Sequence, residues 1–371
     1  LRTQVLGWSW TILSILFTAV LASVLSPGIS EGVVTYQNQN LQADEPVNID
    51  QVLSSPSPVL MGNEYGYWGG FYSGEQHPVY SDVLLRADEV REAALLLPPQ
   101  YRDDARSAMI KAGPNRGSLI SAINSLSPDQ RTGLAFILAN MPLQDLLSIR
   151  GQDLAEDVAL AYRAKDQSPW GNDIPEEIFL NYVLPYASLD EPRDPWRNDF
   201  FERFKDRAWE CNTPGEAAVL LNKEIFKDLN VTYSATKRHR PNQSPRESIQ
   251  IGYASCTGLS IILVDACRAC AIPARVAGTS TLNGGSNHNW VEVWSGEWHY
   301  LGASEPSELD RTWFSVPLRK SAGNATDWRE RVYAASFKRT EQFFPLAWAE
   351  GVMAVPGEDV TGYYTADHSV A

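Results

Sequence analysis

Cysteine is scarce in this sequence: Cys211, Cys256, Cys267 and Cys270 are the only four among 371 residues. That excludes a small fold stapled by disulfides and lets each thiol be weighed by its position. Histidine is almost as rare, with five, so few side chains are available for proton or metal chemistry. Basic residues are also outnumbered, 31 Lys and Arg against 45 Asp and Glu, for a net charge of −14. A surface of that sign repels phosphate backbones and anionic headgroups, which excludes nucleic acid as a partner. There is no P-loop, no dinucleotide glycine fingerprint, no G-x-S-x-G and no H-E-x-x-H, so no cofactor is expected.

What is present is ordinary globular material, 44% hydrophobic and 20% charged, enough to bury a core. Twelve Trp and fifteen Tyr fit an aromatic core or clefts with aromatic walls. No charge falls between Arg2 and Glu31, and the apolar run Trp8–Ala22 ends in Val20-Leu21-Ala22. Residues 1–26 therefore read as a secretory signal peptide or a single membrane anchor. Either places the rest outside the cytoplasm, secreted, periplasmic or anchored, with membrane contact only through that segment. Residues 27–80, with Ser54-Ser-Pro-Ser-Pro58, read as a linker or irregular segment.

From 81 to 212 the pattern is helical. Arg86–Leu97 carries an apolar face and stops at Pro98-Pro99. Ser127-Pro-Asp-Gln supplies a cap, a proline at the first helical position and an acid in the first turn. Asp153–Ala164 reads as another amphipathic helix. Thr213-Pro-Gly-Glu216 opens a helix through Phe226. A tail over 316–371 is expected to be helical, chiefly from 327 to 350.

The chemistry concentrates in 213–315. Apolar residues at 256, 259, 263, 266, 267 and 270 recur at helical spacing between a capping Ser255 and the terminating Pro273. Cys256 therefore opens a mostly buried helix. Unpaired backbone N–H groups at such a start favour a thiolate, the useful nucleophile. Ala274–Thr279 reads as a strand. His288-Asn-Trp-Val-Glu-Val-Trp294 reads as a second, with His288, Trp290, Glu292 and Trp294 on one face and Val291 and Val293 on the other. Ser295-Gly296 turns the chain into a partner strand from Trp298. A Cys at a helix start and a His at a strand start form a nucleophile and base pair in outline. Gln250 and Tyr253 are candidate oxyanion donors beside the Cys256 backbone N–H, and Trp290 a candidate substrate contact. For Cys267-x-x-Cys270 no second ligand pair is at hand, so a metal site is not expected. Core packing, or a bridge from Cys211 to one of them, is the alternative.

Cys256 at the head of a helix ending in Ile-Pro-Ala-Arg-Val276, then His288-x-Trp-x-Glu-Val293, then Trp298-x-Tyr-Leu301, resembles the transglutaminase-like superfamily. The likeness covers roughly 213–315. It implies an α+β, papain-like core, with a Cys-bearing helix packed on an antiparallel sheet after an α-helical region. It also implies a cysteine hydrolase or acyltransferase acting on a protein, peptide or glycopeptide. One departure stands out. The family's third triad member is an Asp four residues past the Trp, and that position here is Gly302. Glu305 follows just past the strand, before Glu308 and Asp310, and is the expected substitute. If none of these acids meets His288, the cleft is a degraded module that binds peptide or glycan.

Overall fold

The structure is a computed structural model that describes residues 88–365. The expected signal or anchor and the linker lie outside the described residues. A helical segment at 88–95 leads into α1 (Arg102–Lys111), α2 (Arg116–Ser125), α3 (Pro128–Asn140), α4 (Leu143–Ser148), α5 (Gly151–Gln167), α6 (Glu176–Tyr182) and α7 (Trp196–Ala208). Then come α8 (Pro214–Asp228), β1 (Thr232–Tyr233), α9 (Pro245–Ile251), β2 (Tyr253–Ala254) and α10 (Cys256–Ala269). The chain continues through β3 (Ala274–Thr279), β4 (His288–Trp294), β5 (Trp298–Leu301) and α11 (Ser315–Gly323). It finishes with β6 (Tyr333–Ala335), β7 (Gln342–Phe343), β8 (Pro356–Asp359) and α12 (Thr361–Thr365). Among the described residues no helix is long and apolar enough to cross a membrane.

The helix starts follow local chemistry. Pro128 opens α3, and the Gln130 side chain accepts from the Ser127 backbone N–H at 3.2 Å. Thr213 Oγ1 accepts from the Glu216 N–H at 3.1 Å to start α8. Ser255 Oγ accepts from the Gly258 N–H at 3.3 Å to start α10. Each such cap satisfies a donor that the helix leaves unpaired, worth about 1 kcal/mol.

Six strands form one antiparallel sheet in the order β5-β4-β3-β6-β8-β7. A separate parallel pair, β1 with β2, sits just ahead of α10. On one face of the sheet Val276, Val291, Val293 and Leu301 join the core around α10. On the other, Ala277, Trp290, Tyr300 and Ala334 pack with Phe314, Leu318 and Tyr364. Leu259, Ile261, Ile262, Leu263 and Val264 of α10 are all buried, each contributing about 1.5–3 kcal/mol. Every residue of α10 from Thr257 to Ala269 is buried, so it is a core helix.

The helical region fixes the far end of α10. The Trp170 indole donates to the Ala271 carbonyl at 2.7 Å and the Trp209 indole to the Cys270 carbonyl at 3.1 Å. Buried Arg197 on α7 pairs with Asp157 at 2.8 Å and donates to the Val183, Leu184 and Pro185 carbonyls. Arg268, on α10 itself, donates to the Ala187 carbonyl at 2.7 Å. Those contacts hold the end of the Cys256 helix against the helical region.

The expected helical tail is corrected by the structure. The segment from 327 to 350 holds a 3-10 turn, β6 and β7 rather than a long helix, and β8 follows. Pro345 interrupts any helix there. The free edge of β3 sets the outcome, pairing Ala277 with Ala334 and Gly278 with Tyr333. An unpaired edge of a central strand is costly, and three short strands from the tail complete the ladder.

Candidate active site

Cys256 is the first residue of α10, half-buried, and its N–H lies in the first turn, where no intrahelical acceptor exists. His288 is the first residue of β4, opposite Thr279. Both line one cavity of about 630 Å³ with Glu305, Tyr233, Leu259, Asn287 and Trp313. The helix start and the strand start are tied by their next residues. Asn289 donates to Thr257 Oγ1 at 2.8 Å, both side chains buried. The Asn289 amide fits because Gly278 on the neighbouring strand has no side chain: a Cβ there would overlap Asn289 Oδ1 and stand 3.0 Å from its Cγ. Neither Asn289, Thr257 nor Gly278 stands out in the sequence, although each neighbours a residue or strand that does.

The His288 ring packs against Phe314 (centroids 4.7 Å apart), Trp313 (5.1 Å) and Trp290 (5.8 Å). In that aromatic surround its Nε2 is buried without a hydrogen-bond partner. Burial pushes its pKa down from 6.5 to about 4, because a charged imidazolium is poorly solvated there. His288 is therefore neutral from mildly acidic pH upward.

That shift carries a stability consequence. Between about pH 6.5 and 4 the unfolded chain binds a proton at this position that the folded chain does not. The stability is intact above the unfolded value and is lost as pH falls toward the folded one. At about 1.36 kcal/mol per unit the interval amounts to about 3 kcal/mol. A His288→Gln variant should lose about 3 kcal/mol less stability than the wild type between pH 7 and pH 4, read by urea unfolding at both. An equal loss in both would contradict the burial of a neutral ring.

Of the three acids that follow β5, Glu305 alone borders the Cys256 cavity. Its Oε2 is buried without a partner, as is His288 Nε2, so the two share the cavity wall but no hydrogen bond joins them. Burial raises the Glu305 pKa, and a hydrogen bond with Trp313 opposes that in part. Asp310 instead takes His299 Nδ1 at 2.7 Å and the Tyr300 N–H at 2.9 Å. Exposed Glu308 pairs with Arg311 at 2.7 Å.

The weaker candidates fall elsewhere. Gln250 is exposed on α9 and does not line the cavity. Tyr253 is half-buried on β2, and its hydroxyl accepts from Lys237 at 3.2 Å. Trp290 is fully buried, and its indole N–H is committed to the Tyr364 hydroxyl at 2.7 Å. Glu292 is buried too, accepting from Arg275 Nε and the Tyr364 hydroxyl, both at 2.6 Å. It is a brace behind the site. All four cysteines are free thiols. Cys267 and Cys270 are fully buried, and burial pushes both thiols well up. Burial, with Glu216 and Glu210 adding, also raises half-buried Cys211. Among the described residues no cluster of His, Cys, Asp and Glu could hold a metal ion.

No curated protein matches the chain. One solved structure, described as "a Putative Cysteine Protease from Cytophaga hutchinsonii", aligns with 16% identity and a TM-score of 0.28. The alignment covers 51% of this chain and 64% of that one, less than two thirds of its length. The sequence from 204 to 316 matches the transglutaminase-like superfamily. It starts within α7, holds the Cys256 helix and the β3–β5 strands, and stops where α11 begins. Residues 204–316 are thus a domain of the transglutaminase-like superfamily, completed here by three strands from outside the matched segment.

Proposed function

We propose that this protein is an extracytoplasmic cysteine enzyme that transfers an acyl group from a carboxamide or peptide carbonyl. The observation that supports it most is the single cavity lined by Cys256, His288 and Glu305, which come from three separate elements. Cys256 Sγ attacks the carbonyl carbon while His288 takes the thiol proton. The tetrahedral oxyanion meets the first-turn N–H groups of α10. The intermediate collapses to a thioester, and His288 returns the proton to the departing amine. Water or a second amine then attacks the thioester, His288 acting as base again, and the Cys256 thiol is regenerated. Water gives amidase, deamidase or protease chemistry; an amine gives cross-linking. Glu305 orients and stabilises His288 as its charge develops. Among the described residues no Lys or Arg lines the cavity, which suits a neutral or cationic segment of a protein, peptide or glycopeptide. The uncharged apolar segment within 1–26 supports the extracytoplasmic placement.

A trapped intermediate tests the reaction. Exposure to mixed peptides and glycopeptides, followed by rapid acid quench and intact-mass analysis, should show an acyl adduct on the wild type and none on Cys256→Ser. The adduct mass names the substrate class. An identical set of masses on both proteins would contradict the thioester.

A further inference from the structure

The backbone between β5 and α11 places the Glu305 carboxylate in a way that the cavity alone does not explain. Residues 302–305 form a tight turn, closed by the Glu305 N–H donating to the Gly302 carbonyl at 3.1 Å. Ser304 sits in the left-handed region at φ 63°, so the turn holds a conformation that costs an ordinary residue energy. Something must over-determine it, and the buried side chain of Asn222 on α8 does. Asn222 Nδ2 donates to the Gly302 carbonyl at 2.8 Å and to the Glu305 carbonyl at 3.4 Å. Its Oδ1 accepts from the Ser304 N–H at 2.8 Å. One amide thus grips both ends of the turn.

The turn folds the Glu305 side chain back over Gly302. A Cβ at 302 would overlap Glu305 Oε2, and would stand 2.9 Å from its Cδ and 3.1 Å from its Cβ. Gly302 is not among the residues with positive φ, so its backbone accepts any L-residue. What the glycine supplies is the empty space that a side chain would fill. Glu305 Oε2, lying there, and His288 Nε2 are both buried without a partner on the same cavity.

We infer that Gly302 and Asn222 are positioning residues that deliver the Glu305 carboxylate into the space a side chain at 302 would occupy, for use by His288. This rests on the reading of Cys256 and His288 as nucleophile and base. A side chain carried by residue 302 itself would start from the space that Glu305 Oε2 now fills, so a carboxylate there is the direct substitute to test.

The test follows iodoacetamide labelling of Cys256 in the full chain at pH 7, resolved by peptide mass. Glu305→Ala and Gly302→Ala should each slow labelling about tenfold, the effect of one pKa unit on a thiolate population. The double variant Gly302→Asp with Glu305→Ala should regain most of the wild-type rate, which a merely structural glycine would not produce. Wild-type labelling by Gly302→Ala, with unchanged circular dichroism, would overturn the inference. So would a double variant no faster than Glu305→Ala. If Gly302→Ala fails to fold, the double variant decides, because it lacks the carboxylate that a side chain at 302 would strike. Labelling that depends on His288 but not on Glu305 or Gly302 would sink this inference alone. Labelling indifferent to His288 would sink the catalytic reading as well.

Discussion

Replacing Glu292 by alanine is expected to cost the folded protein about 3–5 kcal/mol. Glu292 is 1% exposed, and Arg275, which it meets at 2.6 Å across the β3–β4 pair, is 4% exposed. Removing one partner of a buried pair leaves the other without its buried counter-charge in a poor solvent, and that penalty dominates the effect. Two further losses add to it. The Tyr364 hydroxyl donates to Glu292 and accepts from the Trp290 indole, so the variant strands a chain of buried donors. Arg275 retains the Tyr182 hydroxyl at 3.0 Å and Glu358 at 3.2 Å, and its guanidinium keeps its place 3.9 Å over the Trp298 ring. Those contacts limit the cost to that range. Urea unfolding measures it directly. The control is Arg275→Met with Glu292→Leu, which removes both charges and should recover much of the loss. A cost below about 1 kcal/mol for Glu292→Ala would mean that the pair is not the brace its burial implies.

The parts of the domain that sequence reads well are those fixed by neighbours in the chain. Ser255 and Pro273 bracket α10 because a cap and a helix stop act within one turn. The His288–Trp294 strand is legible from strict alternation, and it ends where Ser295-Gly296 can turn. The resemblance carried by Cys256, His288 and the Arg275 run gave the antiparallel α+β core correctly. What could not be read depends on distant partners. β6, β7 and β8 are two to four residues long, too short to show a period, and become strands only because β3 offers an edge. Gln250 stands at a suggestive spacing before Cys256 yet is exposed on α9, and Trp290 spends its donor on a tyrosine 74 residues further on. Glu305 lies just past the strand end, but its seat depends on Asn222, more than 80 residues upstream, and on the absence of a side chain at 302. No local pattern encodes either.

The His288→Ala variant bears on the catalytic pair itself. Among the described residues, His288 is the histidine that lines the Cys256 cavity, and it is neutral in the fold. If it takes the Cys256 proton, the thiol is reactive only with the imidazole in place; loss of a positioned general base costs about 10²–10⁴-fold in turnover. Cys211 is the internal control. It is half-buried like Cys256 but lies outside the cavity, with burial and acidic neighbours raising its thiol. Cys267 and Cys270 are sealed in the core and report only on unfolding. The decisive measurement is the ratio of iodoacetamide labelling rates at Cys256 and Cys211 in the native protein at pH 7. The site predicts a ratio of at least about ten in the wild type, equivalent to one pKa unit of thiolate population, falling to near one in His288→Ala. Equal, slow labelling of both thiols in the wild type would contradict catalysis and leave the cleft a binding site for peptide or glycan.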